Sequence, residues 1–127
     1  ASLDEKPNRE SWQMSPSTVN AYYDPSTNTI NFPSGILQPS FFSEFYPDAA
    51  NFGGIGMVAG HEEGHSIDDQ GAQYDYTGAL HNWWSNSSWT VFEKKVQCIV
   101  DQYNKFEIDG VHVNGSLTTG ENLADNN

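Results

Sequence analysis

Residues 59–71, AGHEEGHSIDDQG, hold two histidines four apart with a glutamate directly after the first. On an α-helix, residues four apart stand one turn above each other, so His61 and His65 present both imidazoles to one side at a separation a single zinc ion can bridge. Glu62 lies about 100° further round the helix and can reach a water beside the metal without ligating it. Two surface histidines on an acidic helix would show the same spacing, but would have no use for the intervening carboxylate. A catalytic zinc needs a third protein ligand and an open position, so another part of the chain must supply a donor.

A three-histidine pattern would place Gly and His three and six residues after His65; those positions hold Asp68 and Gly71, which excludes it. His81 falls in a loop and His112 in an expected strand, and both read as ordinary polar residues. Glu121 fits better. It opens the run Glu-Asn-Leu-Ala-Asp, which puts Asp125 one helical turn further on the same face. From there the Asp125 carboxylate can accept a hydrogen bond from the second ring nitrogen of a ligating histidine, orienting the imidazole and raising its basicity. Asp69, four residues after His65, is placed by the same count to support that histidine.

Around the His pair, a helix is expected from Gly54 to about Gln70. Ile55, Ala59, Glu63 and Ile67 form the stripe opposite the zinc face, with a carboxylate where a core residue is expected. Gly56, Gly60 and Gly64 form a neighbouring row along which another backbone could come close, although glycine costs about 1 kcal/mol of helix propensity relative to alanine. Upstream, Val19–Tyr23 and Thr29–Phe32 are β-prone runs flanking turn chemistry at 24–28, which predicts a hairpin. Prolines at 33, 39 and 47 suit an irregular packed segment. A second helix is expected from about Ser88 to Phe106, where Phe92, Val96, Ile99, Tyr103 and Phe106 recur at helical spacing as a core stripe. Trp83 and Trp84 between the helices read as packing aromatics. Asp109-Gly110 is a turn, 111–120 is strand-like, and a third helix begins at 120 and runs to the end of the chain. Residues 1–10 are a polar lead-in.

Composition narrows the function. The chain has 127 residues and a formal net charge of −12, so it would repel a phosphate backbone and nucleic acid is excluded as a partner. No run of eighteen apolar residues exists, which leaves no membrane contact from this segment. Cys98, the single cysteine, is either a buried thiol or half of a disulfide whose partner lies outside these residues. Two glycosylation triplets, at Asn86 and Asn114, point towards a secreted context.

VNAYYDPSTNTINFPSGILQP (19–39), NFGGIGMVAGHE (51–62), DDQGAQYD (68–75) and TTGENLADN (118–126), in this order and spacing, resemble the catalytic core of the neprilysin and endothelin-converting enzyme family of gluzincin-type zinc endopeptidases. The resemblance runs from about Ser11 to the last residue. It implies an α+β, mainly helical zincin core fragment with an N-terminal hairpin carrying an edge strand and an active-site helix. It implies zinc ligation by His61, His65 and Glu121, with Glu62 as the general base towards a zinc-activated water and Asp125 in support. It further implies that Asn20 and Ala21 hydrogen-bond the backbone of an extended peptide substrate from the edge strand, the mode of β-augmentation.

Members of the family usually carry an uncharged residue at position 63 and threonine at 64, where this chain has Glu63 and Gly64. Family members are extracellular ectodomains, usually anchored by one membrane segment, with a substrate-binding histidine and arginine downstream of the position of Asn127. The chain is therefore expected to be a partial metallopeptidase catalytic domain over 1–127, with Cys98 paired to a cysteine elsewhere. A non-catalytic zinc- or peptide-binding module on the same fold is the alternative.

Overall fold

A computed structural model describes residues 8–126; of the polar lead-in, residues 1–7 lie outside the described residues and 8–10 are exposed. The hairpin forms as strands β1 (Tyr22–Asp24) and β2 (Thr29–Asn31), paired antiparallel with Tyr23 opposite Ile30. Its strands are shorter than the β-prone runs, and Asn20 and Ala21 lie just before β1 rather than within the expected edge strand. The turn is held from within. Asp24 accepts hydrogen bonds from the Ser26 amide (3.0 Å) and hydroxyl (2.7 Å) and from Gln13 Nε2 (2.6 Å), while Asn28 takes a left-handed φ of 50°. Burial works to raise the Asp24 pKa, but these hydrogen bonds outweigh it and hold the carboxyl below its usual value.

The segment with the three prolines is irregular apart from a 3₁₀ turn at Ser34–Ile36. Helix α1 (Asp48–Asn51) then passes through a π-helical turn at Phe52–Gly56 into α2 (Met57–Gly64) and a closing 3₁₀ turn, His65–Ile67. The helical run thus begins before Gly54 and ends before Gln70. The π turn has a local cause: the Ile55 N–H donates outside the helix, to the Phe41 carbonyl at 2.8 Å.

Helix α3 spans Asn86–Tyr103 and starts two residues earlier than its apolar stripe suggests, because Ser85 caps it by accepting from the Ser88 amide at 3.1 Å. The expected core stripe on α3 needs correction. Phe92, Val96, Ile99 and Tyr103 are only half-buried, Phe106 is 49% exposed, and Val100 is the buried residue of the helix. Of the tryptophan pair, Trp84 packs, whereas Trp83 lies against it (centroids 4.5 Å) but stays 47% exposed. Trp84 stacks on Phe92 with centroids 5.1 Å apart, and both indole N–H groups donate to the Ala72 carbonyl (3.2 and 2.8 Å). Cys98 is exposed among the described residues.

Asp109-Gly110 makes a two-residue turn between β3 (Glu107–Ile108) and β4 (Val111–His112), both turn residues having positive φ (52° and 80°) as a right-twisted hairpin requires. The strand is shorter than 111–120. Helix α4, Thr119–Ala124, packs against both α2 and α3 and stops before the chain does. Helix therefore predominates over strand, as expected. Glu63 is exposed and Ile67 is 52% exposed, while Ile55 and Ala59 are half-buried, so the stripe opposite the metal face is only partly covered among the described residues.

Candidate metal centre

The site is made by α2, the turn after it, α4 and the approach to β1. His61 Nε2 and His65 Nε2 face each other at 3.0 Å, and Glu121 Oε2 from α4 lies 3.3 Å from the first and 3.8 Å from the second. Donor atoms around a tetrahedral zinc at about 2.0–2.1 Å stand roughly 3.3 Å apart, so this triangle has the dimensions of one face of such a site.

Proton inventory supports the same reading. His61 Nδ1 lies 2.8 Å from Asp125 Oδ1, and His65 Nδ1 lies 2.7 Å from Asp68 Oδ2. An ionised carboxylate only accepts, so each Nδ1 carries a hydrogen, which leaves Nε2 as the ring atom that can offer a lone pair to a metal. Three atoms that can each offer a lone pair thus converge. A cation resolves that arrangement, and the donor set of two imidazoles and a carboxylate suits zinc.

Asp68, rather than the expected Asp69, supports His65. Counting four residues along holds only while the helix continues, and here it ends: Asp68 has extended backbone (ψ −174°), which folds its side chain back onto the histidine three residues earlier. Asp68 is buried, and its other oxygen accepts from the amides of Gln70 (2.8 Å) and Gly71 (2.6 Å). A Cβ on Gly71 would collide with the His65 carbonyl, which explains glycine at that turn. Asp69 accepts instead from Gln70 Nε2 at 2.9 Å, and its Oδ1 is buried without a hydrogen-bond partner among the described residues. The neighbouring carboxylate was visible in the sequence; the end of the helix, which selects between the two, was not.

Glu62 is 5% exposed. Burial pushes its carboxyl pKa up, opposed by the fields of His65 and His61 and by a hydrogen bond from the Tyr23 backbone N–H, while the Glu121 charge adds to the rise. Tyr23 is thus a participant that sequence reasoning missed, because a backbone amide leaves no trace in residue identity. A cleft of about 360 Å³ brings Met14, Asn20 and Ala21 opposite His61, Glu62, His65 and Glu121. Ala21 is buried and Asn20 is exposed at its rim. A second cavity of about 450 Å³, lined by Asp69, Gln73, Trp84 and Trp89 among others, contains neither His61 nor His65. His81 and His112 are exposed and pair elsewhere, with Asp75 (3.2 Å) and Glu107 (3.5 Å).

Residues 20–127 match the sequence model of peptidase family M13. Among curated relatives, the endothelin-converting enzyme homolog of Locusta migratoria is 51% identical over 98% of this chain and 17% of its own length. Endothelin-converting enzyme 1 of Homo sapiens is 52% identical over 98% of this chain and 16% of its own length. A solved structure of the Mycobacterium tuberculosis zinc metalloprotease ZMP1 in complex with an inhibitor superposes with a TM-score of 0.88 at 45% identity, covering 94% of this chain and 19% of that one. The chain thus spans about a sixth of the length of the curated relatives it matches.

Proposed function

The chain belongs to peptidase family M13, and from that premise we propose that it is the zinc-binding centre of an endopeptidase that hydrolyses peptide bonds with Glu62 as general base. The observation that carries this reading is the convergence of His61 Nε2, His65 Nε2 and Glu121 Oε2 beside a buried glutamate. A purely structural zinc site gives no role to that glutamate.

His61, His65 and Glu121 would hold the metal. When bound, zinc supplies Lewis acidity, lowering the pKa of water in the site and polarising a scissile carbonyl. Asp125 and Asp68 keep both Nδ1 atoms protonated and both Nε2 lone pairs turned inward. Glu62 takes the proton of the attacking water on its carboxylate and passes it to the leaving amine. Asn20 and Ala21, across the cleft, pair with the backbone of an extended peptide, a mode that does not depend on the substrate's side chains.

No helix among the described residues is long and apolar enough to cross a membrane. An extracellular setting, with the parent protein anchored elsewhere along its length, agrees with the exposed Cys98 as a disulfide half and with exposed asparagines at both glycosylation triplets.

The test uses a polypeptide containing the complete catalytic domain. Glu62→Gln should retain one equivalent of zinc and lose about 10²- to 10⁴-fold in kcat, whereas Glu121→Ala should lose the metal. Full peptidase activity in Glu62→Gln would refute the assignment.

A further inference from the structure

Asp69 carries a charge that nothing around it balances. Its Oδ1 is buried without a hydrogen-bond partner among the described residues, and its Oδ2 accepts one hydrogen bond, from Gln70 Nε2 at 2.9 Å. An ionised carboxylate can accept about four. None of the ion pairs of the described residues includes Asp69. Asp68 adds to the local negative charge: the position a Cβ would take on Gly120 lies 3.1 Å from Asp69 Oδ1 and 3.2 Å from Asp68 Oδ2, so both carboxylates converge on one point of α4. Asp68 is compensated by His65 Nδ1 and by the amides of Gln70 and Gly71, whereas Asp69 has no such set of donors.

Asp69 also borders the cavity of about 450 Å³, a volume in the range of small-molecule sites. Trp84 and Trp89 line it, with ring centroids 5.7 Å apart and planes at 67°. Both rings are fixed in place. Each lies against Phe92, with centroids 5.1 and 5.3 Å away, and the Trp84 indole N–H donates to the Ala72 carbonyl at 2.8 Å. Gln73 gives its Nε2 hydrogen to the Asp69 carbonyl (2.9 Å), which leaves its side-chain oxygen as a further acceptor at the cavity. No lysine or arginine lines this space among the described residues.

An uncompensated carboxylate beside indole rings selects a cation, because indole is the side chain that attracts cations most strongly. Among organic cations it favours a planar one. A guanidinium is flat, weakly hydrated and packs on aromatic rings, whereas an ammonium is a compact charge that holds its water tightly. We propose that this cavity is a binding site for a guanidinium group, of the kind an arginine side chain carries, with Asp69 supplying the charge and Trp84 and Trp89 the walls. It shares no lining residue with the cleft that contains His61 and Glu62, so the inference does not rest on the zinc reading.

The experiment titrates the unmodified chain, at constant ionic strength, with ethylguanidinium and with its neutral counterpart ethylurea, following amide and indole signals by NMR. Ethylguanidinium should shift the indole signals of Trp84 and Trp89 and the amides of Asp69 and Gln73 to saturation, and ethylurea should not. Asp69→Asn keeps the shape and removes the charge; it should weaken ethylguanidinium binding by about tenfold, in a spectrum that shows the fold intact. A short arginine peptide and its citrulline counterpart then identify the source: binding of the arginine peptide assigns the site to a peptide-borne guanidinium, and binding of ethylguanidinium without it assigns the site to a small free cation. Either result supports the cavity as a guanidinium site. Absent shifts, equal shifts from ethylguanidinium and ethylurea, or unchanged affinity in Asp69→Asn would overturn the inference. If Asp69→Asn does not fold, the comparison of the two small probes decides by itself.

Discussion

Asp125 Oδ1 lies 2.8 Å from Nδ1 of His61, while Glu121, one turn earlier on α4, lies 3.3 Å from Nε2 of the same ring. One turn of helix therefore places a carboxylate beside each nitrogen of a single imidazole, Glu121 at Nε2 and Asp125 at Nδ1. Asp125→Asn keeps the shape and removes the charge. It should weaken zinc binding by about 10- to 100-fold without loss of helix content, as measured by chelator competition and circular dichroism. Unchanged affinity would mean that the contact with His61 is incidental.

Asp68 and Asp69 are adjacent in sequence and differ in role. Asp68→Asn should weaken zinc binding through His65, whereas Asp69→Asn should leave it within about twofold, since no histidine contacts that side chain among the described residues. Asp68→Ala should also cost about 1–3 kcal/mol of stability, because the Gln70 and Gly71 amides lose their acceptor. Urea unfolding of the three variants, with and without zinc, separates the two effects. A loss of metal in Asp69→Asn equal to that in Asp68→Asn would contradict the geometry.

Glu62 makes the metal-free chain sensitive to pH. Burial raises its carboxyl pKa against the opposing influence of His65, His61 and the Tyr23 amide. A carboxyl raised on folding binds its proton more tightly in the native state, so its contribution to stability is full below the unfolded value and is lost as pH rises through the folded one. Glu62→Gln, neutral at every pH, should therefore be more stable than the unmodified chain at pH 7 in the presence of a chelator. The gap should close below about pH 4, where the unfolded carboxyl is also protonated. Urea midpoints at the two pH values check this; an equal gap at both would show that the carboxylate is not penalised by burial.

Asn20 stands at the rim of the cleft that contains His61 and Glu62. In a full-length family member carrying this segment, Asn20→Ala should weaken an extended peptide inhibitor by roughly 0.5–1.5 kcal/mol, the worth of one neutral hydrogen bond, with zinc content unchanged. Unaltered inhibitor affinity would reduce Asn20 to a residue of the hairpin approach.

Whatever is set by spacing within a few residues was legible in the sequence. His61, Glu62 and His65 take their relative directions from the helical repeat, and Glu121 and Asp125 share a face for the same reason. The Asp109-Gly110 turn follows from the preference of those residues for positive φ. These arrangements depend on local backbone geometry, which residue identity reports directly.

What remained was decided between segments distant along the chain. The Tyr23 amide on Glu62 and the bare contact of Gly64 with Ala124 join backbone atoms that carry no identity in sequence. The choice of Asp68 over Asp69 hangs on where α2 stops, and the α3 stripe is only half-buried because apolar periodicity states which face seeks cover, not how much of it neighbouring elements supply. The sequence by itself determined which donors point the same way along each helix; tertiary packing decided how closely α2, α4 and the hairpin approach, and so whether those donors meet at one point.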